Sequence, residues 1–153
     1  MIQFTALQSD DDLREIIKSA FDTDLDIEGS WGYTQNLATI LNYRETPLSQ
    51  FEHMFASMRA YIEMNMTKEK NDRYGSINLN EIAREQFTLK TKTYDKITYR
   101  VTAMKEDIYA SFIAAYKEGY GKETFDISEH FKQREKATLI REVIHWFDVS
   151  KVL

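Results

Sequence analysis

The sequence predicts an α+β fold in which helices dominate and pack on an antiparallel β-hairpin. Three observations carry this reading. Apolar residues recur at three- and four-residue spacing through residues 10–21, 47–66, 105–118 and a long C-terminal segment, which is the period of a helix with one buried face. Residues 87–104 instead alternate apolar and polar positions, the period of a strand pair. The chain has 153 residues, 42% of them hydrophobic and 13% aromatic, which suits one globular domain over residues 1–153.

Taken in chain order, Ile2, Phe4 and Ala6 alternate with Gln3 and Thr5 and predict a short N-terminal strand that joins the hairpin. Ser9 then precedes an acidic first turn, and Leu13, Ile16, Ile17, Ala20 and Phe21 form one stripe, so a helix is expected over 10–21. Residues 22–32, with alternating acids and two glycines, read as a loop, and Leu37, Ile40 and Leu41 predict a short helix over 33–42. The only proline, Pro47, suits a first helical turn, where a missing N–H costs no hydrogen bond. From it, Leu48, Phe51, Met54, Phe55, Met58 and Ile62 keep one stripe to residue 66, with Ser49 and Glu52 at capping-box spacing. The inward spacing of Met54 and Met58 predicts core filling, and Met64 and Met66 are the methionines expected nearer the surface.

Residues 67–76 are polar and read as the main interior loop. The hairpin is expected to turn near Tyr94, Asp95 and Lys96 through an odd loop, pairing Leu89 with Val101 and Lys90 with Arg100. A helix over 105–118 should end on Gly119 as a left-handed cap. Asp126 or Ser128 should start a final long helix with Ile140, Val143, Ile144 and Phe147 inward, and His145 outward beside Arg141 and Asp148.

The absence of cysteine removes disulfides, thiolate metal sites and thiol nucleophiles. The opening residues carry no basic n-region followed by an apolar run, and no stretch is long and apolar enough for a membrane span, so a cytoplasmic location is expected. Net charge is −5, and its distribution is uneven: residues 1–28 carry eight acids between Asp10 and Glu28 against Arg14 and Lys18, a balance of −6, which leaves the rest almost neutral.

That segment supplies the leading functional expectation, a non-catalytic protein-binding domain of inhibitor or immunity type. In it Asp22, Asp24, Asp26, Glu28 and Trp31 meet a basic protein partner. No catalytic set is legible, since no nucleophile elbow or phosphate loop is present. The alternative is a metal-binding protein. Counting a twelve-residue calcium loop from Asp24 places Asp24, Asp26 and Glu28 at ligand positions and Gly29 at the turn, but gives the neutral Gln35 the twelfth position where a bidentate carboxylate belongs. No cofactor is predicted otherwise; Ca2+ would bind there weakly. His53, His130 and His145, with Glu142 three residues before His145, form the other candidate metal set. A third expectation assigns Lys90, Lys92 and Arg100 on the hairpin to an anion. The overall acidity argues against nucleic acid, and self-association is compatible with the composition.

Overall fold

The computed structural model describes residues 4–8 and 11–153. It contains the α+β architecture expected, with 40% of residues helical and 31% extended. The helices are α1 (Leu13–Phe21), α2 (Leu48–Tyr61), α3 (Glu106–Gly119) and α4 (Ile127–Ala137). The strands are β1 (Ile27–Gly29), β2 (Thr39–Leu41), β3 (Tyr74–Leu89), β4 (Lys92–Lys105) and β5 (Leu139–Asp148), and they form one mixed sheet in the order β1-β2-β5-β4-β3.

The long antiparallel run of β3, β4 and β5 is the frame. Alternation along β4 sends Ile97, Tyr99, Val101 and Ala103 to one face, where all are buried, and Lys96, Thr98, Arg100 and Thr102 to the other. The buried face is covered by α2 through Phe51, Phe55, Ala56 and Ala60, and Leu13 and Ile17 of α1, which packs on β1, join the same core. The opposite face stays largely open and carries a Phe87–Trp146 stack, Lys96 over the indole, and exposed Ile140 and Ile144.

Four expectations are corrected. First, the segment expected as a helix over 33–42 is a 3-10 turn (Gln35–Leu37) followed by β2, which pairs parallel to β5. Its apolar residues satisfy a three-residue strand as well as a short helix, and the sheet edge supplies their backbone partners. Second, the hairpin turns at Lys90-Thr91, with Leu89 opposite Lys92, so Val101 pairs with Leu79 and Arg100 with Asn80. Lys90 adopts φ +58°, the left-handed first position that a two-residue hairpin loop demands. The expected loop over 67–76 accordingly gives way to β3 at Tyr74. Third, the long C-terminal helix divides at Thr138 into α4 and β5. Ile140, Val143, Ile144 and Phe147 keep a helical period, but their β-branched and aromatic character and ten residues of pairing with β4 decide for a strand that carries apolar residues on both faces. Fourth, Gly119 is the last helical residue and is not a left-handed cap; a Cβ there would strike the Phe125 ring, so close approach explains the glycine.

Of the N-terminal strand, residues 1–3 lie outside the described residues and Phe4–Gln8 form no strand. Phe4 lies instead edge-on to Tyr74, under the cations of Lys68 and Arg141. α1 begins at Leu13 with Asp12 as its cap, its carboxylate accepting from the Arg14 N–H at 2.9 Å.

Candidate binding surface

Leu13 and Ile17 anchor α1 in the core, which leaves its two flanks to solvent. On one flank Asp12, Glu15, Ile16, Ala20 and Met66 border a cleft of about 500 Å³. On the other, Arg14 donates to Asp24 at 2.7 and 3.1 Å and to Asp26 at 3.3 Å, beside a cleft of about 410 Å³ walled by Tyr43, Arg44, Phe51 and Met54. The hydrogen bond from Arg14 holds the Asp24 carboxyl below its usual range. Asp26 and Glu28 accept from the Asn42 amide at 3.3 and 3.0 Å, while Asp22 ends α1 at φ +52° and faces solvent. Four large side chains stand exposed in this region: Tyr43 at 57%, Met66 at 49%, Tyr61 at 44% and Met54 at 36%. Carboxylates are thus interleaved with aromatic and thioether groups, the composition of an adaptable interface.

Of the predicted acids, Asp24, Asp26 and Glu28 are linked through Arg14 and Asn42, and Trp31 does not belong with them. At 5% exposure it packs on Phe55 at 6.3 Å and is a core residue. Met64, expected nearer the surface, is fully buried, and Met54, expected inward, is exposed.

The residues of the calcium-loop register are divided between separate elements. Residues Ile27–Gly29 are extended in β1, Asp24 and Asp26 border the Arg14 cleft, and Gln35 borders a separate one of about 310 Å³ with Lys92 and Asp148. Gly29 does take the left-handed conformation, φ +87°, but there a Cβ would meet the Ala38 carbonyl, so the β1–β2 pairing explains it. Among the described residues no group of three or more His, Asp or Glu side chains is placed to share a metal ion.

The three histidines are dispersed. His53 shares a hydrogen bond of 2.9 Å with the Leu79 carbonyl, and His130 sits in an aromatic cluster with Phe112, Tyr116, Phe125 and Phe131. His145, expected on a polar surface, is fully buried, stacked on Phe147 and 3.0 Å from the Thr39 hydroxyl. Three residues along a strand reverse the face, so Glu142 points away from His145 and faces Arg100 at 3.7 Å. Burial, reinforced by the Arg59 charge, pushes the His145 ring well below its usual pKa and keeps it neutral. The basic hairpin residues are also separated: Lys90 occupies the tip, and Arg100 lies about 26 Å along β4 from Lys92 at the usual strand rise.

Sequence reasoning missed two buried ionic clusters along α2 and its extension, a π-helical turn over Ile62–Met66. Glu52 and Asp95, both essentially inaccessible, receive the Arg84 guanidinium at 2.8 and 3.2 Å, and Arg84 also holds Glu81 at 2.7 Å. Burial, then the neighbouring Asp95 carboxyl, raises Glu52 to about 8 against the opposing pull of Arg84. Farther along, Glu63 accepts from the Tyr33 hydroxyl at 2.5 Å and faces Arg141 at 3.4 Å, while the buried Arg59 donates to the Trp31 and Ile144 carbonyls. The missed signal was spacing: Glu52, Arg59 and Glu63 are seven and four apart, on one helical face with Phe55.

Among the described residues no helix is long and apolar enough to cross a membrane. Comparison with protein families, with curated proteins and with solved structures finds no match for this chain.

Proposed function

We propose that this protein is a non-catalytic binding domain of the cytoplasm, and that the acidic surface around α1 docks a basic protein partner. The observation that carries the reading is the coincidence of charge and exposed apolar area. Asp12 and Glu15 flank one cleft and Asp24 and Asp26 the other, and the walls of the two include Ile16, Ala20, Met54, Tyr43 and Met66. Carboxylates attract and orient a basic partner at long range, while desolvated thioether and aromatic groups supply affinity at contact. Arg14 ties Asp24 and Asp26 into a fixed arrangement, so they present a preformed polar rim.

Native mass spectrometry of the tagged protein, isolated from its host at low salt, tests this. A discrete basic protein is expected to co-purify, to dissociate as salt rises, and to be weakened by the pair Glu15→Gln and Asp22→Asn and separately by Met66→Ala. Glu15 is exposed and Asp22 tolerates asparagine in its left-handed conformation, so neither change disturbs the core. A species held equally by the charge variant, or no basic species at all, overturns the reading.

A further inference from the structure

One arginine is set apart by its surroundings. Every other arginine places its guanidinium on an acceptor: Arg14, Arg84, Arg100 and Arg141 on carboxylates, and the remaining three on backbone carbonyls. The guanidinium of Arg134 in α4 makes no hydrogen bond or ion pair among the described residues; its central carbon lies 5.4 Å from the Phe131 ring centre and 5.9 Å from that of Tyr109. Two aromatic contacts limit where the planar fork can point and leave its N–H donors unused.

The fork borders a cleft of about 290 Å³ between the α3–α4 pair and the ends of β3 and β4. The wall opposite α4 includes Ser76 and Thr102, whose hydroxyls are hydrogen-bond donors, and Asn78, whose amide donates to the Ser76 carbonyl at 3.4 Å. Here β3 is irregular: its register with β4 shifts between Gly75 and Asn78, and Ser76 is held at φ +53°. A left-handed serine costs on the order of 1 kcal/mol, and strain of this kind concentrates at binding sites. The exposed Glu135 also stands at the cleft and sets a limit on how much negative charge it accepts.

We infer that this cleft binds a small molecule through a single phosphate group, with Arg134 as its charge partner and the Ser76 and Thr102 hydroxyls on the remaining oxygens. A carboxylate engages the fork alone. A tetrahedral oxyanion also uses donors across the cleft, which is why phosphate is the better fit. The site uses none of the residues of the acidic surface, so it stands or falls independently of the proposed partner.

The test is an amide and arginine side-chain NMR titration of the full chain with inorganic phosphate at constant ionic strength, with acetate and chloride as parallel arms. Saturable shifts are expected at Arg134 Nε, Ser76 and Thr102 with phosphate, and weaker ones with acetate. Arg134→Lys keeps the charge without the fork and weakens binding about tenfold, and Arg134→Gln abolishes it. Thr102→Val, on the facing strand, weakens phosphate but not acetate. Since the Arg134 side chain is partly exposed and unbonded, its variants keep the native amide spectrum. Shifts equal to those with chloride, or unchanged in Arg134→Gln, overturn the assignment, and acetate binding as tightly as phosphate overturns the choice of phosphate.

Discussion

Glu52 shows how a single side chain sets a pH response. Its carboxyl is fully buried and shares one guanidinium with Asp95 and Glu81, so it keeps its proton to about pH 8. In the unfolded chain the same group ionises near 4.5. Between those values the folded state binds more protons than the unfolded state, and stability therefore falls as pH rises from about 4.5 to 8. Glu52→Gln mimics the neutral acid and removes this slope. Chemical denaturation at pH 5 and pH 8 is expected to show the wild type losing on the order of a few kcal/mol more than the variant. Identical losses would mean that Glu52 is ionised in the fold. His145 acts in the opposite direction, since a ring held neutral costs stability as pH falls through 6.5, but that contribution is common to both proteins and cancels in the comparison. The same ring explains Gly32, which sits at φ +86° with its Cα against the imidazole, where any Cβ would collide.

At the scale of elements, the β3–β4 hairpin is the clearest case of local chemistry at odds with its position. A two-residue loop requires a left-handed first residue, and Lys90 occupies it at φ +58° where glycine is preferred. Lys90→Gly is expected to stabilise the protein by about 0.5–1 kcal/mol, read as a rise in thermal midpoint. A fall would show that the Lys90 side chain contributes contacts at the tip. The misplaced hairpin turn follows from this: with lysine and threonine in the loop, no glycine or asparagine marks it, and the alternation of residues 87–104 runs straight through it. β5 was obscured differently. Both its faces carry apolar residues, because Val143 and Phe147 turn inward while Ile140 and Ile144 lie on the open face, so a period of two is masked.

For the whole molecule, the core is asymmetric. β4 and α2 supply the largest shares of the buried side chains, whereas α3 contributes none and α4 only His130. The α3–α4 pair is held by its own aromatic cluster and a modest footing on β3 and β4. Native-state hydrogen exchange is expected to show α3 and α4 amides opening at clearly lower free energy than those of β4, with the sheet intact. Equal protection would make the pair part of one global unfolding unit. Such a separable flap over the Arg134 cleft gives a small ligand a way in, and phosphate binding should then slow exchange across both helices.

The sequence by itself determined what depends on neighbours along the chain: the acid-rich segment, α1, α2 from Pro47, α3, the existence of a hairpin, and the fold class. Tertiary structure alone decided the rest. It chose strand over helix for residues 39–41 and 139–148, because backbone groups there find partners only in strands distant in sequence. It withdrew Trp31 and His145 from the surface by packing both against Phe55. It also gathered Asp12, Glu15, Asp24 and Asp26 beside residues from α2 and its π-helical extension, and placed Arg134 opposite Ser76 and Thr102. No periodicity encodes those juxtapositions, since burial and charge pairing act through space and not along the chain.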